Sequence, residues 1–319
     1  MPGFDPNSDY NVTLTMRIFL TGATGYIGSA VLEALLRGGH TVVALVRDPE
    51  KAELLKLRGV HAIVGDLAVP KYYAAAAEGC DSIIHASLEA FKRPNADRQT
   101  IDALLGAAIR HSAKGQPVSF VYTSGVWVLG NTAGAAGEDA PVRPTPLVAW
   151  LPEHEQLILD AGRGRMLRTA VVRPGIVYGG ARGIIADLLR DAANGLLRVV
   201  GDGRNRWACV YDRDLADLYL RVAAMPEASG IYHANDEADE RVADIVEAVA
   251  RHAKMQPDVR HVPITEARAK MGAYADALAL NQIVRSTRAK ELGWGPALHS
   301  VSGNVPRLLE EFRAARIAA

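Results

Sequence analysis

Apolar and polar positions change period at short intervals along most of this chain. Met16–Leu20 is a brief hydrophobic run of the kind a buried parallel strand shows. After a turn carrying Gly22, Gly25 and Gly28, the apolar residues Ile27, Ala30, Val31, Ala34 and Leu35 recur along one helical stripe. Gly38-Gly39 then ends that helix. The β-branched run Thr41–Val46 predicts a second strand. Asp48-Pro49 supplies an N-cap followed by proline for the next helix, which Gly59 closes. The alternation continues through strand His61–Val64, a short helix Lys71–Glu78, strand Ser82–His85 and a longer helix Ala96–Ser112. Strand Val118–Thr123, a helix around Pro152–Ala161 and strand Thr169–Val172 follow.

Regular strand–helix alternation predicts an α/β fold, a Rossmann-type doubly wound parallel sheet. From Pro174 the rhythm changes. Helices at Ile184–Asn194, Asp214–Ala224, Val242–Ala253, Thr265–Ala279 and Val305–Ala315 mix with short strands. Those strands, Leu197–Val200, Ala208–Tyr211, Ile231–His233 and Val259–Val262, are expected to pair partly antiparallel. The organisation this implies is a polar leader over 1–15 and a dinucleotide-binding domain over 16–175, to which 201–230 returns. A smaller mixed α/β C-terminal substrate lobe comprises 176–200 and 231–319, with the cleft between the lobes as ligand site.

Composition narrows the function classes. The 319 residues suit one large or two small domains, and 49% hydrophobic with 23% charged residues is globular. Thirty-six basic residues balance thirty-six acidic ones, so no global field points to nucleic acid or an anionic membrane. Cys80 and Cys209 make no disulfide framework and no metal cluster. No apolar run approaches a membrane span, and the leader lacks a basic-then-apolar signal pattern. The expectation is a cytoplasmic protein with a small-molecule substrate.

The glycine turn favours a diphosphate, because a helix N-terminus offers unpaired N–H groups and the positive end of its dipole. Gly22 permits the tight turn, Gly25 lets backbone approach the ligand, and Gly28 lets helix pack on strand. The spacing, TGxxGxxG, resembles the fingerprint of the short-chain dehydrogenase/reductase superfamily in its extended, epimerase/dehydratase-like form. Further segments resemble that family in order: Gly65-Asp66-Leu67, His85-Ala86-Ser87, Tyr122-Thr123-Ser124-Gly125, Arg173-Pro174-Gly175-Ile176-Val177-Tyr178-Gly179, VYDRDLA over 210–216 and KELGWGP over 290–296.

The resemblance implies that Gly22, Thr24, Gly25, Tyr26, Ile27 and Gly28 hold a dinucleotide, with Asp66 and Leu67 beside its adenine. It implies that His85, Ala86, Ser87, Thr123 and Ser124 line the cofactor, and that Pro174, Gly175 and Val177 pass near the nicotinamide. Arg47, at the end of the second strand, is placed to pair a 2′-phosphate, which favours NADP(H), with NAD(H) as the alternative.

The family's serine, tyrosine and lysine are not where its spacing puts them. Gly125 takes the serine position, Trp150 the tyrosine and His154 the lysine, the last near the nicotinamide ribose. Three readings stay open. Hydride transfer persists with His154, Tyr178 or Tyr211 supplying the proton in a site that includes Trp150; or the chain is a non-catalytic nucleotide-binding regulator; or it is an epimerase or dehydratase of nucleotide sugars. Asn205-Arg206-Trp207 looks more like the dihydroflavonol-reductase-like branch, which acts on carbonyl compounds without a nucleotide. Relatives often pair through two helices, here Ala96–Ser112 and the 152–161 region, which implies a homodimer.

Overall fold

Seven parallel strands carry the molecule, in the order Gly230–Ala234, Leu167–Pro174, Val118–Thr123, Ser82–His85, Arg17–Thr21, Thr41–Val46, His61–Val64. The computed structural model describes residues 15–87, 94–254 and 256–317, so all of the expected leader except Thr15 lies outside the described residues. Successive residues of the first strand feed opposite layers. Ile18 and Leu20 pack with Val31 and Leu35 of the helix Tyr26–Arg37, and with Leu218 and Val222 of the helix Asp212–Ala224. Phe19 packs with Ile101 and Leu104 of the helix Pro94–Ser112. Burial on both faces explains why these strands read as unbroken apolar runs.

The first strand is also where strand order reverses. Its register sets Thr21 beside Leu45 on one side and His85 on the other. The segments leaving these three strand ends therefore surround one crevice, the place where open α/β sheets take ligands.

Four local expectations differ from the structure. The helix expected over Lys71–Glu78 is a 3-10 turn, Pro70–Tyr72, followed by one α-turn, Ala74–Ala77. The helix expected over Thr265–Ala279 is two, Ile264–Met271 and Tyr274–Leu278, broken where Gly272 adopts φ +61°. Pairing among the short strands after Pro174 is mostly parallel: Leu196–Val200 with Asp258–Val262, and Ile176–Tyr178 with Cys209–Tyr211. Arg206–Trp207 with Glu240–Arg241 is antiparallel. The strand expected in the lobe at Ile231–His233 is instead an edge of the main sheet, hydrogen-bonded along Leu167–Pro174. Among the described residues no helix is long and apolar enough to cross a membrane.

Just past that edge strand, Asp236 is buried where the sheet meets the lobe. Its N–H donates to the Cys209 carbonyl at 2.7 Å, and its Oδ1 accepts from the Ala238 N–H at 3.1 Å. Burial pushes its carboxyl up to about 7. Native Asp236 therefore keeps a proton that the unfolded chain releases near pH 4, so its contribution to stability is lost as pH rises from about 4 to about 7. Asp236→Asn should match wild type near pH 4. It should gain on wild type through that window and level off above pH 7 at an advantage of about 2–5 kcal/mol, read by urea denaturation at each pH.

Candidate active site

The turn after the first strand is built to the limit of backbone contact. Gly22 sits at φ +76°, and a Cβ there would lie 2.5 Å from the Ala86 carbonyl oxygen. The Gly25 N–H donates to the Gly22 carbonyl at 2.7 Å. Helix Tyr26–Arg37 begins with Gly25 as N-cap, with no side-chain cap and no acid in its first turn. Its first N–H groups are thus left for a ligand.

Around this turn opens a cleft of about 490 Å³, within the range of small-molecule sites. Gly22, Thr24, Gly25, Tyr26, Ala86 and Ser87 form one part of its wall. Leu45, Val46, Gly65 and Leu67 form an apolar part, and Arg47, Lys51 and Arg182 bring three cations without a lining carboxylate among the described residues. Asp48 does not line it, because its Oδ1 caps the next helix, accepting from Glu50 N–H at 2.9 Å. Asp66 is also occupied locally: Oδ1 accepts from Ala68 N–H at 2.8 Å, while its neighbours Gly65 and Leu67 reach the cleft. Arg182 donates to the Thr24 carbonyl at 3.0 Å, and the Tyr26 hydroxyl to the Gly179 carbonyl at 2.8 Å. These two bonds fasten the segment 179–182 to the glycine turn. Glycines without a clash-free Cβ, an uncapped helix start and three lining cations together fit a dinucleotide diphosphate.

Tyr26 also borders a second pocket of about 150 Å³. Ile27, Gly125, Val126, Trp127, Val148, Leu151, Pro174, Gly175, Ile176, Val177 and Ile184 line it, and Ser124 brings a hydroxyl. That hydroxyl donates to Glu155 Oε1 at 2.5 Å. Glu155 is held in turn by Arg173, whose Nε reaches Oε1 at 2.9 Å and Nη2 reaches Oε2 at 2.5 Å. Both side chains are buried, 2% exposed for Arg173 and 4% for Glu155. Behind them, His233 Nδ1 faces the Arg285 carbonyl at 3.2 Å, so its proton sits there and Nε2 accepts from Arg173 Nη1 at 3.5 Å. Burial, then the Arg173 charge, pushes His233 down to about 3, which keeps it neutral.

A second buried network lies beside the first. Asp97 Oδ1 pairs with His85 Nε2 at 2.9 Å, and Oδ2 with His154 Nδ1 at 2.8 Å and the Tyr122 hydroxyl at 2.8 Å. Thr21 Oγ1 lies 2.6 Å from His85 Nδ1. Burial works to raise the Asp97 carboxyl, but hydrogen bonds from His154 and His85 outweigh it and hold it well below the usual carboxylate range.

The candidate proton donors are distributed otherwise than the sequence suggested. His154 is turned onto Asp97, and Trp150, just ahead of the helix Leu151–Ala161, stands edge-on to it at 4.9 Å. Neither lines either pocket. One residue further on, Leu151 lines the apolar pocket and Glu155 meets Ser124, so the face turned to the site is offset by one from the expected register. Tyr178 donates to the Leu298 carbonyl at 3.0 Å, and Tyr211 to Glu311 Oε1 at 2.6 Å, both in one buried apolar cluster with Leu298 and Leu308. Burial pushes Tyr211 up to about 12 and Tyr178 higher still. Thr123 is paired with the Tyr219 hydroxyl at 2.6 Å. Lys51, Trp127, Leu151, Arg182 and the Glu155–Arg173 pair carried no spacing signal of their own, though Arg173 stands in the RPGIVYG segment.

A family model described as the NAD dependent epimerase/dehydratase family matches residues 18–234, the span from the first strand to the sheet's far edge. The chain belongs to that family. As a member it binds a nicotinamide dinucleotide. An uncharacterized protein of Saccharomyces cerevisiae is 30% identical over 306 residues, covering 94% of this chain and 98% of that protein. The 4-hydroxy-2-methyl-3-oxo-4-farnesyl-3,4-dihydroquinoline-1-oxide ketoreductase of Stigmatella aurantiaca is 27% identical, covering 80% and 78%. The UDP-glucose 4-epimerase of Thermus thermophilus, solved with NAD, superposes with a TM-score of 0.77 at 22% identity, covering 94% and 100%. The likeness to that structure is one of fold.

Gly22→Ala should weaken NADPH binding by about tenfold or more in calorimetry, through the forced φ and the contact with Ala86. Gly39→Ala, at φ +75° with nothing within 4 Å of its Cβ, carries similar strain away from the cleft and should keep wild-type affinity.

Proposed function

We propose that this member of the family is an NADP(H)-dependent oxidoreductase interconverting a small, non-nucleotide carbonyl compound and its alcohol. The observation that carries the reading is the junction at Tyr26, where a cation-lined cleft meets an apolar pocket in which the buried Ser124 hydroxyl is bonded to a carboxylate. The dinucleotide, when bound, gives or takes the hydride at the substrate carbon. Ser124 handles the proton. Its O–H is directed at Glu155, so an oxygen lone pair is left for a substrate hydroxyl. During oxidation Ser124 Oγ takes the hydroxyl proton as its own passes to Glu155; during reduction the two transfers run backwards. Arg173, locked on Glu155 by two bonds, fixes the orientation of the carboxyl group towards Ser124. The ketoreductase among the relatives supports this class of chemistry.

A nucleotide-sugar substrate is less well served. The Trp207 indole donates to the Leu278 carbonyl at 3.0 Å, and Arg206 is bonded to the Asp239 carbonyl. No cation lines the apolar pocket among the described residues. The phosphate preference rests on Arg47 and Lys51 beside an Asp48 already used as a helix cap.

Arg47→Ala should raise the Kd for NADPH about tenfold while that for NADH changes less than about twofold, by fluorescence titration. Equal losses for both would remove the preference for the phosphorylated form. Ser124→Ala should lower kcat for NADPH-dependent carbonyl reduction by about 10²–10⁴. An unchanged kcat would take Ser124 out of the proton path, and a tight NADPH complex that reduces no carbonyl would favour a regulator.

A further inference from the structure

Gly125 does something in the apolar pocket that a helix start or a tight turn does not require. Its backbone is extended, at φ −176° and ψ 154°, a conformation open to any residue. A Cβ there would meet nothing closer than the Pro174 carbonyl oxygen at 3.7 Å, an ordinary contact. The fold would tolerate a side chain, so what the glycine leaves is room. The opposite is true of Gly175 in the same wall, where a Cβ would come within 2.4 Å of the Ala208 carbonyl oxygen. Packing against Ala208 therefore requires a glycine at 175, whereas nothing in the packing requires one at 125.

Trp127 stands two residues along in the same 3-10 turn, Val126–Leu129. The turn is pinned from the lobe. Gln282, 3% exposed, donates through Nε2 to the Val126 carbonyl at 2.7 Å and to the Gly130 carbonyl at 2.9 Å. The indole is braced from outside by Tyr274, edge-on with ring centroids 6.1 Å apart. Among the described residues the lining carries no charged side chain, and its hydroxyls are those of Ser124 and Tyr26.

We propose that this pocket is a slot for a neutral, flat aromatic carbonyl compound or its alcohol, with Gly125 providing the room and Trp127 the wall. A flat ring can lay its face or edge against the Trp127 indole, whereas a puckered alicyclic group of the same carbon count makes poorer contact with it. A carboxylate or phosphate would enter without a counter-charge, at a desolvation cost the walls do not offset. The proposal rests on the oxidoreductase reading for what happens to the ligand, but the binding itself can be read without turnover.

Two readouts test it, one with turnover and one without. In NADPH-dependent reduction, benzaldehyde should exceed both cyclohexanecarbaldehyde and 4-carboxybenzaldehyde in kcat/KM by about tenfold or more. Gly125→Ala, which adds one methyl to the slot, should shrink the benzaldehyde-to-cyclohexyl ratio by about tenfold, mostly through KM. In the NADP⁺-loaded protein, acetophenone should quench indole fluorescence saturably, Trp127→Phe should abolish the quench, and Gly125→Ala should weaken the apparent affinity. A cyclohexyl preference, a ratio that survives Gly125→Ala within about twofold, or no saturable quench overturns the slot. Saturable quench lost in Gly125→Ala, together with no reduction of any aldehyde, upholds the slot and overturns the oxidoreductase reading instead.

Discussion

A single carbon atom more at Gly28 would stand 2.1 Å from the carbonyl oxygen of Gly22. That near-contact fixes how closely the first helix lies on the turn before it, and much else is measured from there. Gly22 leans in the same way on Ala86, at the end of a neighbouring strand. The helix start and Ala86 are therefore set relative to one another by backbone rather than by side chains, and strand pairing adds the end of Thr41–Val46 before Arg47. Side-chain rotamers give by tenths of an ångström at modest cost; stacked peptide groups do not. A ligand that needs several amides converging on one anion is best met by an assembly of this stiffness.

Beside this rigid mouth lie two carboxylates in almost equal burial, Asp97 and Glu155, with side-chain exposures of 3% and 4%. Their partners separate their tasks. Asp97 is surrounded by His85, His154 and Tyr122 and has no route to the apolar pocket in its bonds, so it serves as a brace joining strand ends to the helix Leu151–Ala161. Glu155 shares its donors between Arg173 and a serine at the pocket wall, which gives it a route. Adjacent residues of one helix, His154 and Glu155, thus point into different networks, as the 100° step between neighbours requires.

That step also explains where the sequence was legible and where it was not. Strands and most helices stood out because periodicity is a property of many residues at once, and the ordered glycine and RPGIVYG segments fix their own register. The proton-handling residues depend on the start of one helix. Trp150 and His154 fall at the counted spacing, yet the helix begins at Leu151, so the face over the pocket carries Leu151 and Glu155. A one-residue offset is invisible in composition and decisive in chemistry. Arg182 and Trp127 were unreadable for a different reason: each reaches the site from a loop whose course is set by distant contacts, Arg182 through Thr24 and Trp127 through Gln282 holding its turn. The parallel pairing within the lobe was equally hidden, since short strands of a few residues do not announce direction.

The edge strand Gly230–Ala234 comes late in the chain and lies along Leu167–Pro174. Between them Arg168 spans to the carbonyls of Ala223 and Ala228, at 3.0 and 2.9 Å. As the polypeptide leaves the ribosome, the earlier strands can assemble, but Leu167–Pro174 stays a bare, hydrogen-bond-hungry border until residues 175–229 have been made and the chain has turned back. During that interval the nascent protein is exposed to edge pairing with other chains.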